Sequence, residues 1–253
     1  RGLGDVYKRQ QYTMICQLNI SHKFKSNNFD NRKNKISFII IHYTETKTLA
    51  KAVKLLTDKE RKVSCHYLID SKGKIFNLVD LNKRAWHAGE SKWKSFTDIN
   101  SRSIGIEIVN SGEIKKEKYK KEQINVLIEL IKSVKHKYNI RNEKILGHSD
   151  IAPLRKVDPG KFFPWEKLNR HSLGLWANVR TNRSMLTKTE YKEFLVNLKK
   201  IGYRYFNSAK ENKLVIDAFH RHHLKTLVGK SPNKSSLEKT KKLLRIKDID
   251  LKE

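Results

Sequence analysis

Apolar and polar positions change period several times along this chain, and each change predicts an element. Ile36-Ser37-Phe38-Ile39-Ile40-Ile41 is a nearly continuous apolar run, the pattern of a strand buried on both faces. It ends at His42-Tyr43-Thr44-Glu45. A polar cluster directly after a buried strand is where α/β proteins place binding residues. Leu49, Ala52, Val53 and Leu56 then recur at helical spacing and predict an amphipathic helix over 48–57. Residues 63–70 and 74–80 are strand-like runs separated by Ser71-Lys72-Gly73, which reads as a hairpin. Residues 83–100 have no period and hold Trp86-His87-Ala88-Gly89 and Trp93, so a long functional loop is expected there. Ser103 to Val109 alternates apolar with small or polar residues, as a central strand would, and Ile124, Leu127, Ile128, Ile131, Val134 and Tyr138 predict a helix. Lys144 to Gly147 is a short strand that delivers His148. This order predicts a mixed α/β fold, a mixed central sheet flanked by helices.

After Phe163-Pro164-Trp165 the pattern becomes helical. Thr187-x-x-Glu190 has the form of a capping box and leads into Tyr191, Phe194, Leu195, Leu198 and Ile201, with Gly202 as a stop. Residues 214–224 and 236–246 are two further helical runs. The expected organisation is a partly irregular N-terminal extension over 1–35, a catalytic domain over 36–171, a linker over 172–186 and a small all-α domain over 187–253. No internal repeat is evident.

Charge changes this picture more than composition does. The 253 residues include 55 Lys and Arg against 26 Asp and Glu, a formal net charge of +29. Residues 170–253 hold 20 of those bases and 8 of those acids, so the excess is spread along the chain and is not a detachable basic tail. Such a balance favours an anionic partner, whether nucleic acid, acidic lipid or a wall polymer, although a solvated lysine surface is an equally open reading. Cys16 and Cys65 stand far apart, which excludes a disulfide framework or a cysteine zinc cluster. No apolar run approaches the roughly 20 residues that span a bilayer. Arg1 to about Gln11 lacks the apolar core of a signal peptide, and the start reads as truncated or chimeric.

The candidate chemistry centres on residues 148–160, where His148 and Asp158 flank Pro153 and Lys156, with Pro159 and Gly160 following. Prolines exclude a regular helix or central strand, so a stiff loop is expected to hold these side chains at fixed angles. Nitrogen and oxygen ligands on such a loop suit zinc. His42, at the end of a neighbouring buried strand, would complete three of four tetrahedral positions. Hydrogen-bonded core histidines are the competing reading. Glu107, between Ile106 and Ile108, is costly to bury without a task. Beside a metal it would suit a general base, because desolvation raises its pKa, whereas a solvent-facing strand position would leave it ordinary. Lys156 is either an oxyanion stabiliser or one more exposed lysine.

Five segments together resemble the zinc-dependent N-acetylmuramoyl-L-alanine amidases of type 2, whose fold is shared with peptidoglycan recognition proteins and phage T7-type lysozyme. They are Ile40-Ile41-His42-Tyr43-Thr44, Val63 to Ile69, Ala85-Trp86-His87-Ala88-Gly89, Ser103 to Glu107, and Gly147-His148-Ser149-Asp150-Ile151-Ala152-Pro153 running on to Phe163-Pro164-Trp165. They fall in the family's order across residues 36–168. The resemblance implies one zinc ion per chain held by His42, His148 and Asp158, with Glu107 as catalytic acid/base and Lys156 stabilising the tetrahedral intermediate. It implies cleavage of the amide between the lactyl group of N-acetylmuramic acid and L-alanine. Trp86 and His87 are expected to contact sugar or peptide, or else only to shape their loop; Arg155 is expected to contact substrate, and His66 to support a ligand from behind or to be a core histidine. The T7-type branch has a tyrosine near the position of Cys65 that this chain lacks, so that residue's role does not carry over.

The helical tail resembles the peptidoglycan-binding module of some of these amidases. Phe219-His220-Arg221-His222-His223 is expected to be an exposed basic helix, because adjacent histidines project in different directions on a helix. The expected partners are peptidoglycan or muropeptides and no specific nucleic acid, with a monomer favoured. A bacterial envelope location is expected, whereas a recycling enzyme of this type would be cytoplasmic. A non-catalytic peptidoglycan recognition protein is the alternative function.

Overall fold

A six-stranded mixed sheet forms the centre of the computed structural model, which describes the backbone of residues 18–250 and side chains through residue 246. In spatial order its strands are β1 (Ile20–Ser21), β5 (Ile75–Asn77), β4 (Tyr67–Ile69), β7 (Ser103–Ile108), β3 (Phe38–Tyr43) and β8 (Ile145–Gly147). β4 and β5 form the expected antiparallel hairpin, and every other neighbouring pair is parallel. The fold class is therefore the mixed α/β one that the apolar periodicity predicts.

Helices α1 (Leu49–Thr57), α2 (Ile99–Arg102), α3 (Lys121–Tyr138), α4 (His148–Ile151) and α5 (Trp165–Asn169) are threaded between and after the strands. The tail supplies α6 (Lys188–Ile201), α7 (Ala209–His223) and α8 (Lys234–Asp250). The predicted capping box forms at the start of α6, where Glu190 N–H donates to Thr187 Oγ1 at 3.3 Å and Thr187 N–H to Glu190 Oε2 at 2.9 Å.

Alternation along β3 and β7 divides the molecule into two layers. Ile39 and Ile41 of β3 and Ile104, Ile106 and Ile108 of β7 face one way, into a core closed by Ile124, Leu127, Ile128, Ile131 and Val134 of α3. Phe38 and Ile40 face the other way and join a second core with Phe194, Leu198, Val215 and Phe219 of the tail helices. Ser103, Gly105 and Glu107 share this second face with His42, because β3 and β7 pair in register with Ile40 opposite Gly105 and His42 opposite Glu107. At the other end of that face, α1 packs Ala52 and Leu56 against Leu68, Phe76 and Leu78.

Three regions depart from the sequence reading. Residues 18–35 do not simply loop over the surface: β1 pairs with β5, and β2 (Phe29–Asn31) pairs antiparallel with β6 (Lys83–Ala85). The readings of Arg1 to Gln11 and of Cys16 lie outside the described residues. The aperiodic run 83–100 accordingly begins as a strand, whose partner lies about fifty residues earlier and cannot be seen in a local window. The third departure is the histidine run of α7. It is not an exposed basic helix: His220, His222 and His223 are all buried, His222 against Trp165 and Asp150, His223 beside Trp176, and His220 against Leu227 and Ser236 of the tail itself. Among the described residues no helix is long and apolar enough to cross a membrane.

Candidate active site

Strand register sets the site. Parallel pairing of β3 with β7 and β8 brings the C-terminal ends of these strands to one edge, so His42, Glu107 and the turn that follows Gly147 meet there. His148 opens α4, a single turn whose Ser149 N–H donates to the carbonyl of Asp158 at 2.9 Å, folding the proline-rich loop back beside it. His42 Nδ1 stands 3.0 Å from His148 Nδ1 and 2.9 Å from Asp158 Oδ2, and His148 Nδ1 is 3.1 Å from the same oxygen. All three side chains are buried.

Hydrogen bonds on the far sides of the rings fix what each ring presents to this centre. Ser103 Oγ–H donates to the Ile99 carbonyl at 2.6 Å, so its oxygen is left to accept from His87 Nε2–H at 3.1 Å. His87 Nδ1 is then bare and accepts His42 Nε2–H at 3.0 Å. His42 therefore turns a lone pair on Nδ1 towards the centre. Burial, then the neighbouring His148, pushes His42 down to about 4, and burial holds His87 well below the ordinary range, so both rings are neutral. His148 Nε2–H donates to the Ala88 carbonyl at 3.1 Å and likewise presents Nδ1.

Three acceptors thus converge with no donor between them, an arrangement that repels itself unless a cation lies at its centre. Neighbouring donors of a tetrahedral ion bound at about 2.0–2.1 Å lie roughly 3.3 Å apart, close to the spacing seen. The donor set fits a divalent metal, and its far-side hydrogen bonds are of the kind that orient metal-binding imidazoles.

Glu107 is buried beside His42, and its Oε2 has no hydrogen-bond partner. Desolvation, followed by the charge of Asp158, raises its pKa to about 8 against a smaller opposing effect of Lys156. Lys156 is half-buried on the loop, and its charge acts on both Glu107 and His42.

The other expected contacts are placed differently. His87 is only 5% exposed and lies beneath His42, so it is corrected from a substrate contact to a support of the ring above it. Gly105 makes room for it, since a Cβ there would overlap the His87 imidazole. Trp86 turns towards β2, where its indole N–H donates to Asp30 at 2.9 Å. Arg155 is tied down by the carbonyls of Ala88 and Glu90. His66 is fully buried and accepts Gly105 N–H on Nδ1 at 2.9 Å, as a core histidine would. Sequence reasoning missed Ser103, although its place two residues before Gly105 on the alternating strand put it on the same face as Glu107. It also missed Arg32, whose guanidinium binds the carbonyls of Leu81, Asn100, Ser101 and Ser103 beneath the site. Arg32 sits in a polar stretch with no period to mark it.

Comparison with known proteins agrees with this geometry. Residues 32–161 match the family described as N-acetylmuramoyl-L-alanine amidase. The N-acetylmuramoyl-L-alanine amidase AmiD of Escherichia coli is 35% identical over 214 residues, 76% of either chain. A solved complex of AmiD with anhydro-N-acetylmuramic acid-L-Ala-D-γ-Glu-L-Lys superposes with a TM-score of 0.76 at 31% identity, covering 84% of this chain and 90% of that one. A structure of AMPDH3 from Pseudomonas aeruginosa with an anhydromuramic pentapeptide gives 0.73 at 27% identity, covering 85% and 93%. The 1,6-anhydro-N-acetylmuramyl-L-alanine amidase AmpD of Haemophilus influenzae is 39% identical, but over only 43% of this chain and 58% of that protein. With the matched segment spanning every ligand of the three-acceptor cluster, and with AmiD aligned across most of both chains, this chain belongs to the N-acetylmuramoyl-L-alanine amidase family.

Proposed function

We propose that this chain acts as a monomeric zinc amidase that hydrolyses the amide between the lactyl group of N-acetylmuramic acid and L-alanine in peptidoglycan or its muropeptides. The observation that carries this reading is the convergence of His42 Nδ1, His148 Nδ1 and Asp158 Oδ2 with no donor among them. These three side chains would hold the ion. When bound, zinc supplies Lewis acidity, polarising a carbonyl and acidifying water to near neutrality. Glu107 handles the protons: its unpaired Oε2 takes one from the attacking water and returns it to the departing alanine nitrogen. A carboxyl whose pKa is lifted towards neutrality by burial can do both. The Lys156 ammonium, whose charge reaches both Glu107 and His42, stabilises the charge that develops on the carbonyl oxygen.

The test is Glu107→Gln, which keeps size and polarity and removes the base. Zinc content and folding are expected to be unchanged while release of stem peptides falls by about 10²- to 10⁴-fold. Mass spectrometry of products from intact peptidoglycan and from anhydro-muropeptides, with and without a chelator, reads the outcome. Undiminished release would remove Glu107 from the mechanism.

An envelope location belongs to the same proposal, supported by the net charge of +29, which concentrates the chain on anionic wall polymers. Raising the salt is then expected to lower activity on intact sacculi more than on small muropeptides. Equal salt sensitivity on the two substrates would remove that support.

A further inference from the structure

The loop that carries His148 contains a second buried carboxylate, Asp150, which is fully inaccessible. A buried carboxylate is tolerated only where donors surround it. One donor is local: Gly147 N–H reaches Asp150 Oδ2 at 2.8 Å and closes the start of α4. The other two come from the tail. Tyr203 Oη–H donates to Asp150 Oδ1 at 2.7 Å, and His222 Nδ1–H donates to Oδ2 at 2.7 Å.

Both tail groups are themselves immobilised. The His222 ring lies between the Trp165 indole, stacked at 3.7 Å and 13°, and the ring of His223, stacked at 4.0 Å and 14°. This sandwich leaves the imidazole one plane, the plane that aims Nδ1 at Asp150. Tyr203 is fully buried with its ring edge-on to Trp93 at 4.9 Å. The preceding Gly202 allows that contact: its φ is 153°, its carbonyl accepts Lys94 N–H at 2.8 Å, and a Cβ there would overlap the Trp93 indole.

We infer that Tyr203 and His222 of the helical tail are positioning residues of the amidase site, clamping Asp150 so that the α4 turn holds His148 at its ligating angle. The tail thereby forms part of the catalytic apparatus, whatever else it binds. Asp150 stands between two ties: through Gly147 N–H to the turn that begins with His148, and through Tyr203 and His222 to α6 and α7. The turn in turn holds the Asp158 backbone through Ser149 N–H. Without the tail donors the carboxylate is free to rotate, which releases Gly147 N–H and loosens the turn. The inference rests on the reading of His148 as a metal ligand.

The experiment compares full-length wild type with His222→Ala, His222→Asn and Tyr203→Phe. The asparagine keeps a side-chain N–H donor where Nδ1 stands, and Tyr203→Phe removes only a hydroxyl. Zinc affinity is measured by competition with a chromogenic chelator, ligand geometry by the visible spectrum of the cobalt-substituted protein, and turnover as separate kcat and KM. His222→Ala and Tyr203→Phe are expected to weaken zinc binding about tenfold or more, alter the cobalt spectrum and lower kcat with little change in KM. His222→Asn is expected to recover most of the loss. If His222→Ala and Tyr203→Phe only lower the melting temperature, leaving zinc affinity, cobalt spectrum and kcat at wild-type values, the tail is mere packing and the inference is overturned. A wild type that binds no zinc and cleaves nothing would instead overturn the amidase reading, so the two failures are distinguishable.

Discussion

Two histidine–carboxylate clusters lie in this molecule, built from the same residue types and opposite in hydrogen-bond polarity. In the first, His42 and His148 both turn bare nitrogens towards Asp158, because His87, itself fixed by Ser103, and the Ala88 carbonyl have claimed the N–H groups behind them. In the second, His222 turns an N–H towards Asp150, and Tyr203 and Gly147 add two more donors. The first carboxylate is short of positive charge and the second is saturated. Residue identity alone does not separate a metal site from a structural ion pair; the direction of each hydrogen bond does, and that is set by groups one step further out.

The same isosteric change in each cluster should have opposite consequences for the metal. Asp158→Asn replaces a charged ligand with a weak neutral one, so zinc in the purified protein is expected to fall to background and amidase turnover with it. Asp150→Asn leaves His42, His148 and Asp158 in place and costs only part of the clamp, so zinc is expected to remain with affinity reduced about tenfold. Atomic absorption and chelator competition read both. If Asp150→Asn strips zinc as completely as Asp158→Asn, the two clusters are not chemically distinct.

A second difference lies in the proton balance of Glu107. Its pKa is raised in the folded protein to about 8 by burial and by Asp158, above the ordinary 4.5. The metal-free folded state therefore holds a proton that the unfolded chain has already lost across this window. Stability from this group is full below about pH 4.5 and is lost as pH rises towards 8, by at most about 1.4 kcal/mol per pH unit. Chemical denaturation of zinc-free wild type and Glu107→Gln should give curves that coincide near pH 4.5 and diverge in favour of the glutamine variant by pH 8. Parallel curves would mean that Glu107 is ionised at little cost, and its suitability as a proton carrier near neutrality would go with them.

Much of the first cluster was legible in the chain, and little of the second. Period-two alternation over residues 103–109 placed Glu107 on a face distinct from its isoleucines, and the apolar run over 36–41 led directly to His42. The stiff loop announced itself through its prolines. Local periodicity carries such information because each strand or loop is a continuous segment. His222 and Tyr203 carried no comparable signal: they meet Asp150 across separations of 72 and 53 residues. Adjacent histidines on a basic helix read as solvated because nothing nearby in sequence reports that α7 will be covered. The pairing of β2 with β6 escaped for the same reason, since a three-residue strand is defined by its partner more than by its own residues.

Gly105 gives the finest test of how the outer groups set the inner ones. It lies on β7 between Ser103 and Glu107, opposite Ile40, and the His87 imidazole occupies the space where a side chain would stand. Gly105→Ala leaves every ligand and both catalytic candidates in place. The added methyl must displace the ring, and the ring cannot retreat freely, because its N–H is held by Ser103 and its Nδ1 by His42. Loss of the His42–His87 bond removes the restraint that keeps the His42 Nε2 proton away from the cluster. His42 can then take the other tautomer, which points an N–H at the metal position. Zinc affinity is expected to fall about tenfold, the lower end of the range for groups that orient a metal-binding imidazole. Chelator competition measures the affinity, and nitrogen-15 shifts of the His42 ring report the tautomer directly. A Gly105→Ala protein with wild-type zinc affinity and an unchanged His42 tautomer would show that Asp158 and the ion alone orient that ring, and that the His87–Ser103 chain only fills the space beneath it.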